Sequence, residues 1–561
     1  MEHFDAVVVG SGFGGSVSAY RLAEAGQSVC LLERGKAYPP GSFARTPKAM
    51  HANFWDPGAG MFGLFDVWSF KHIDALISSG LGGGSLIYAN VLLRKDEKWF
   101  VREQPGVPGH EYWPVTRAEL DPHYDRVERM MNAQRYPFAK APYDQTEKTK
   151  AMRMAGEKLG LEWMLPPLAV TFANDGAEPV PGEPIVEAHR NLHDRTRSTC
   201  RLCGECDVGC NYGSKNTLDY NYLSAAKRAG ADLRTLAEVK TFAPRAGGGY
   251  LISYRQHVPG EPAHADAPLT TISANRLILS AGTFGSTYLL LSNRAQFPGL
   301  SRTLGSHFCS NGDLLTFALR CSKQTANGKQ PWALDGNYGP VITSSLHMPD
   351  ALDGGSGRGF YIEDAGYPAF MSWLVETAGF AATLGRAQRL AWRRLLSAFG
   401  INTTTNLSAD IANLLGTGNL SASSIPLLGM GRDVPDGNLS LEDGLLSSDW
   451  SIKRSSPFFT RLTDTMRAIT EEAWGGSFQS NPTWHLGRRI ITVHGLGGAP
   501  MGRNADEGVV NEYGEVFGYP GFYVADGSIM PGPVGTNPSL TIAALADRFA
   551  DRITEPRGVV A

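Results

Sequence analysis

The chain of 561 residues is long enough for two or more hydrophobic cores, and its 42% apolar content is that of a globular protein. A net charge of −3 argues neither for nor against any partner, no basic run suggests nucleic acid, and no apolar span is long and charge-free enough to cross a bilayer. Seven cysteines, four of them in one short run, do not make a disulfide framework for a chain this large, and the first apolar run starts too near Met1 for a signal peptide, so a cytoplasmic location is expected.

Residues 4–9 are a short valine-rich run, the pattern of a parallel strand covered on both faces. It ends at Gly10, and Gly10, Gly12 and Gly15 follow in G-x-G-x-x-G spacing, with Phe13 and Gly14 between. Val17, Ala19, Leu22 and Ala23 then mark a helix that stops at Gly26, and a second strand, 28–32, carries Glu33 and Arg34 at its end. This is a βαβ unit in which one glycine makes the tight turn, one admits a pyrophosphate and one lets the helix pack closely, while Glu33 accepts hydrogen bonds from a ribose. Such a unit specifies an ADP-bearing cofactor and fits NAD as well as FAD.

Residues 36–70 read as loop, broken by Pro39, Pro40, Gly41 and Pro57. The run Gly80-Leu81-Gly82-Gly83-Gly84-Ser85 follows, extending to Tyr88 and Asn90; its glycines cannot be a helix interior, where each costs about 1 kcal/mol relative to alanine. Either a backbone nest around an anion or flat ring, or an ordinary turn, accounts for it. Residues 101–195 and 303–485 carry mixed strand and helix patterns without nucleotide signals. Within them, the tryptophan- and arginine-bearing stretch 370–399 reads as amphipathic core helices ahead of a membrane-touching or substrate-gating surface.

The first βαβ unit and the 80–90 loop together resemble the glucose-methanol-choline (GMC) family of flavoprotein alcohol oxidoreductases, and within it the cholesterol oxidase branch. The likeness continues in Glu238-Val239-Lys240, in Ala281-Gly282 after the strand 276–279, in His494-Gly495-Leu496-Gly497-Gly498, in Asp526-Gly527-Ser528, and in Asn537-Pro538-Ser539. It implies an α/β fold, α+β overall. A Rossmann-like FAD-binding domain would be built from discontinuous segments (1–100, 196–302, 486–561), with a substrate domain of mixed β-sheet and helices (101–195, 303–485). The first strand and last helix must then meet. By the same resemblance FAD lies against Gly10, Gly12, Phe13, Gly14, Gly15, Glu33, Arg34, Gly82, Gly83, Gly84, Ser85, Tyr88, Asn90, Val239, Ala281, Gly282, Asp526, Gly527, Asn537, Pro538 and Ser539. Many relatives carry asparagine where this chain has Tyr88.

Alcohol oxidation needs a base for the hydroxyl proton, and histidine suits it because it titrates near working pH. Only context singles out His494 among thirteen histidines: it ends the apolar run 490–493 and matches the family's active-site histidine. Asn537 followed by Pro538 reads as N-cap and first residue of the last helix, whose positive end would favour reduced flavin, and it matches the histidine's polar partner in the family. Glu363, among apolar neighbours, matches a glutamate that in the cholesterol oxidase branch shuttles the proton of a steroid double-bond isomerisation. The substrate expected is a bulky apolar alcohol, foremost a hydroxysteroid such as a 3-hydroxysterol, oxidised by a monomeric protein with O2 or another acceptor and peripheral membrane contact. The alternatives are a long-chain or other primary alcohol oxidase or dehydrogenase, a non-oxidative flavin lyase or decarboxylase, and an iron–sulfur flavoprotein.

Cys200, Cys203, Cys206 and Cys210 have the ferredoxin spacing C-x-x-C-x-x-C-x-x-x-C. The last cysteine of such a run serves a second cluster in two-cluster ferredoxins, no second run exists, and Asn211 replaces the usual proline. Similar cysteine-rich segments followed by Lys-Asn-Thr-Leu, here residues 215–218, occur in relatives. The expectation is therefore no metal, and reduced structural or redox-active thiols ahead of an iron–sulfur cluster or zinc.

Overall fold

The computed structural model describes residues 1–102, 109–264, 267–352, 357–369, 419–481 and 489–555. The 370–399 stretch thus lies outside the described residues.

The first strand, His3–Val9, buries Ala6 to Val9 completely on both faces, as its run of valines requires. It sits at the centre of a seven-stranded sheet, parallel to Val29–Leu32 on one side and to the ten-residue strand Thr270–Leu279 on the other. That long strand divides its free edge. Its first half pairs antiparallel with Tyr250–Gln256, and its last three residues pair parallel with Phe522–Val524. Ala237–Pro244 extends the sheet beyond Tyr250–Gln256, and Asp232–Arg234 closes the other side against Val29–Leu32.

The helix Phe13–Glu24 lies against the last helix, Ser539–Thr554, the N-terminal half of which is almost wholly buried. Each fully buried Leu or Phe there contributes about 1.5–3 kcal/mol, more than the ion pairs at its rim. One segment departs from the expected boundaries: the helix Arg117–Met130, expected with the substrate part, packs on the last helix. Its Leu120, Tyr124 and Val127 join the nucleotide-side core, the Tyr124 hydroxyl meets Thr541 Oγ1 at 2.9 Å, and His123 meets Asp547 at 2.7 Å.

A second sheet has six strands in the order Glu162–Met164, Ser345–Met348, Phe360–Asp364, Ile425–Gly431, Leu314–Leu319 and Ser477–Ser480. Where a mixed sheet was expected, its pairings are antiparallel throughout, because neighbouring strands reverse direction at each step. The expected loop over 36–70 also ends in a strand, Phe65–Ser69, paired with Ile73–Ser78; Ile490–Thr492 runs parallel on the latter's other edge and delivers the chain to His494.

Candidate active site

The glycines of the first turn divide by role. Gly10 has φ +94°, and a Cβ there would lie 2.3 Å from Ser280 O. A Cβ on Gly14 would fall 1.4 Å from Ala525 O and one on Gly15 2.0 Å from Gly10 O, so both are fixed by backbone packing. On Gly12 a Cβ would meet nothing within 4 Å. Gly12 is also the N-cap of the Phe13–Glu24 helix, and no side chain caps it, so the first-turn N–H groups are free for an anion.

Glu33 is buried, and its carboxylate accepts from Ser11 N (3.0 Å), Ser11 Oγ (2.6 Å) and Gly35 N (2.8 Å). It therefore braces the glycine turn, whatever further bond it gives a ribose. Ser11 Oγ in turn accepts from Gly82 N at 2.9 Å, and a Cβ on Gly83 would lie 2.6 Å from Gly12 Cα, so the two glycine loops touch. Gly84 faces open space, and Ser85 Oγ donates to Gly82 O and accepts from Leu218 N. Arg34, expected at the cofactor, is bound to Asp66 at 2.7 Å and lies over the Trp55 ring. Val239 is buried in its strand. Asp526 clasps the third glycine turn, accepting from Gly282 N at 3.0 Å and from Ser286 Oγ, and its other oxygen accepts from Ser528 N and Oγ; Ala281 N donates to that same Ser286 Oγ. Tyr88 fills the space between Phe13, edge-on at 5.5 Å, and the Lys215 ammonium at 4.8 Å. Asn90 is fully buried at φ +74°, and neither atom of its amide has a partner among the described residues.

The last helix starts at Ser539 with Pro538 at N-cap, one position later than the Asn-cap, Pro-N1 reading. Asn537 does not cap it. Its amide Nδ2 donates to Glu363 Oε2 at 3.3 Å, its Oδ1 accepts no bond from the helix N–H groups, and the helix end has no side-chain cap. Among the described residues Glu363 has no other hydrogen-bond partner: Glu363 Oε1 and Asn537 Oδ1 are both buried and unpaired there. Burial pushes the Glu363 carboxyl up to about 8, against the Asn537 hydrogen bond that lowers it. The next residue, Asp364, faces the opposite way along the strand and is satisfied by Thr343, Ser344 and the buried Lys148.

His494 Nδ1 meets Asp313 Oδ1 at 2.7 Å, and Asp313 Oδ2 accepts from Thr492 Oγ1, Val493 N and His494 N. Asp313, which sequence reasoning missed, ends the turn Ser310-Asn311-Gly312-Asp313. Two residues earlier, Asn311 accepts from Gly535 N at 2.7 Å and donates to Thr536 O at 2.9 Å, immediately before Asn537. One turn therefore holds both His494 and the approach to Asn537. Gly312 permits it: at φ +68° its Cβ would strike Gly431 N and Phe458 at 2.7 Å. Asp433, its carboxyl pushed up to about 7 by burial, accepts from Ser310 N and Oγ and anchors the turn. Only the Asn-Gly pair could have drawn attention to this turn, and it signals a turn without saying what the turn holds.

Space beside Gly12 and Gly84, uncapped helix ends at Gly12 and Pro538, and unpaired polar atoms on Asn90, Thr536 and Asn537 make a site fitted to a flavin dinucleotide. This defines an FAD-dependent oxidoreductase, and a family of that description, FAD dependent oxidoreductase, matches residues 5–160. The family described as GMC oxidoreductase matches residues 450–546. A cholesterol oxidase of Mycobacterium tuberculosis is 31% identical over 98% of this chain and 90% of its own. A cholesterol oxidase of Acinetobacter baumannii is 26% identical over 97% and 93%, and a long-chain-alcohol oxidase of Arabidopsis thaliana 24% identical over 98% and 67%. A formate oxidase of Aspergillus oryzae shares the fold, with a TM-score of 0.57 at 13% identity over 99% of both chains. The chain belongs to the GMC family: it is an enzyme, its cofactor is FAD, and it oxidises CH–OH groups. Among the described residues no helix is long and apolar enough to cross a membrane.

Proposed function

We propose that this enzyme oxidises the ring hydroxyl of a 3-hydroxysteroid and then shifts a double bond of the resulting ketone. The observation that carries the reading is the Glu363–Asn537 pair, a buried carboxyl and amide whose remaining oxygens have no partner among the described residues. Burying such atoms unpaired costs about 1–3 kcal/mol each, a cost that a bound hydroxyl or ketone removes. The likeness to cholesterol oxidases over nearly the whole chain supports the steroid.

Gly12, Gly84, Asn90 and the uncapped end of the last helix would hold FAD, which when bound takes the hydride equivalent from the carbinol carbon. His494 takes the hydroxyl proton at Nε2, because Asp313 holds Nδ1 and stabilises the charge the ring acquires. Asn537 orients the hydroxyl through Oδ1. Glu363, deprotonated above about 8, moves a proton between carbons of the ketone at its free oxygen. The test is an anaerobic screen in which flavin bleaching is followed across 3-hydroxysterols, long-chain primary alcohols, sugars and aromatic alcohols. Bleaching by sterols at the lowest concentrations is expected; bleaching by long-chain primary alcohols alone would transfer the assignment to that class.

A further inference from the structure

Four cysteines take no part in the chemistry above. Cys200, Cys203, Cys206 and Cys210 line one recess, with Lys215, Gly339 and Pro340 in its wall. All four are free thiols. The objection that the fourth cysteine of the run should serve another cluster falls away, because all four face the same space. No distant ligand is needed, and Cys309 and Cys321 are buried in other parts of the core. Asn211, where ferredoxins carry proline, fixes the chain after Cys210 by a reciprocal pair of bonds to Phe43, accepting from its N–H at 2.9 Å and donating to its carbonyl at 3.1 Å.

The spacing of the sulfurs selects among metals. Four thiolates on one zinc, at about 2.3 Å each, lie about 3.8 Å from one another. Among the described residues the one set of three or more His, Cys, Asp or Glu ligand atoms within 4.8 Å of each other is His123, Asp547 and Asp551, which Arg21 and Arg126 already neutralise. No three of the cysteine sulfurs are that close, a spacing wider than four thiolates on one zinc require. The recess is also built for negative charge. Lys215 is fully buried in its wall, and its ammonium donates only to the carbonyls of Leu86 (3.1 Å) and Cys206 (2.9 Å), with no carboxylate within ion-pair distance among the described residues. An isolated buried ammonium is costly unless an anion faces it.

We propose that Cys200, Cys203, Cys206 and Cys210 hold a [4Fe–4S] cluster. Lys215 joins this recess to the 80–90 glycine loop through Leu86 and the Tyr88 ring, so the cluster lies directly behind the loop assigned to the flavin. The site does not depend on which alcohol the enzyme oxidises.

The test is metal and acid-labile sulfide analysis of the FAD-loaded protein, produced and purified without oxygen, with electron paramagnetic resonance before and after dithionite. About four iron and four sulfide per chain are expected, with a paramagnetic signal distinct from flavin on reduction. Cys203→Ser and Cys206→Ser should each lose most of the iron while FAD remains bound. Iron-free protein after reconstitution with ferrous iron and sulfide, stoichiometric zinc in place of iron, or iron retained in both variants would overturn the assignment. The analysis of the unaltered protein decides the matter even if a variant does not fold.

Discussion

The two glycine loops and the Glu363–Asn537 corner are both buried, yet their polar groups are treated in opposite ways. At the first turn, Ser11 and Glu33 satisfy one another and the neighbouring loop, and the glycines are held by backbone contacts as short as steric limits allow. At the corner, Glu363 and Asn537 share one hydrogen bond of 3.3 Å and leave an oxygen each without a partner. The first region spends its interactions on shape, and the second withholds them for a ligand. Substitutions should separate the two: in the loops they should change folding or cofactor content, at the corner chemistry and the pH dependence of stability.

The largest effect is expected at Gly14. Any side chain there collides with Ala525 O, so Gly14→Val should lose about 4 kcal/mol or more, seen as failure to accumulate folded protein or a collapsed melting temperature. Gly12→Ala, by contrast, meets no neighbour; the FAD-free protein should melt within about 0.5 kcal/mol of the original while FAD content falls on purification. Equal destabilisation by the two would erase the distinction between packing and cofactor glycines.

At the other pole, Asp313→Asn should keep FAD and lower kcat more than KM. The loss should stay within the roughly 10²- to 10⁴-fold that general-base help supplies, with a displaced pH profile. A change confined to KM would mean that Asp313 does not orient His494.

Glu363→Gln should leave ketone formation nearly intact and stop the double-bond shift, measured as loss of the conjugated-ketone absorbance. In the unaltered enzyme that shift should rise with pH through about 8, because the carboxylate form is the base. The same raised carboxyl makes a stability prediction. Between the ordinary glutamate value of 4.5 and about 8 the folded state holds a proton that the unfolded chain has released, so stability falls as pH rises, by up to about 1.4 kcal/mol per pH unit. Glu363→Gln should remove this slope, and chemical denaturation of FAD-free protein at pH 5 and pH 8 would show whether it does.

Sequence spoke most clearly where chemistry and geometry share one local pattern. The run 4–9, the spaced glycines and Glu33 encode strand, turn and helix within about thirty residues, and their arrangement follows from rules of backbone packing. His494, Asn537 and Glu363 were legible only through family likeness, since nothing in their immediate neighbours shows what they will meet. Asp313, Asn311 and Asp433 were not legible at all: each acts across 123 or more positions or through a turn whose residues look like any surface turn, and the bond between Glu363 and Asn537 joins residues 174 apart. The Asn-Pro start of the last helix misled for a related reason: Asn537 is turned toward Glu363, far away in sequence, and Pro538 takes the N-cap position. The cysteine run had the reverse fate, since its spacing was plain and what it surrounds became visible only in three dimensions.

The central claim is that His494, held by Asp313, takes the substrate proton beside the Glu363–Asn537 pair. It is tested most directly by the anaerobic rate at which a 3-hydroxysterol bleaches the bound flavin in the original enzyme and in His494→Ala, both with full FAD content. The account expects fast bleaching in the first and a rate lower by about 10²- to 10⁴-fold in the second. Equal rates in the two proteins would contradict it.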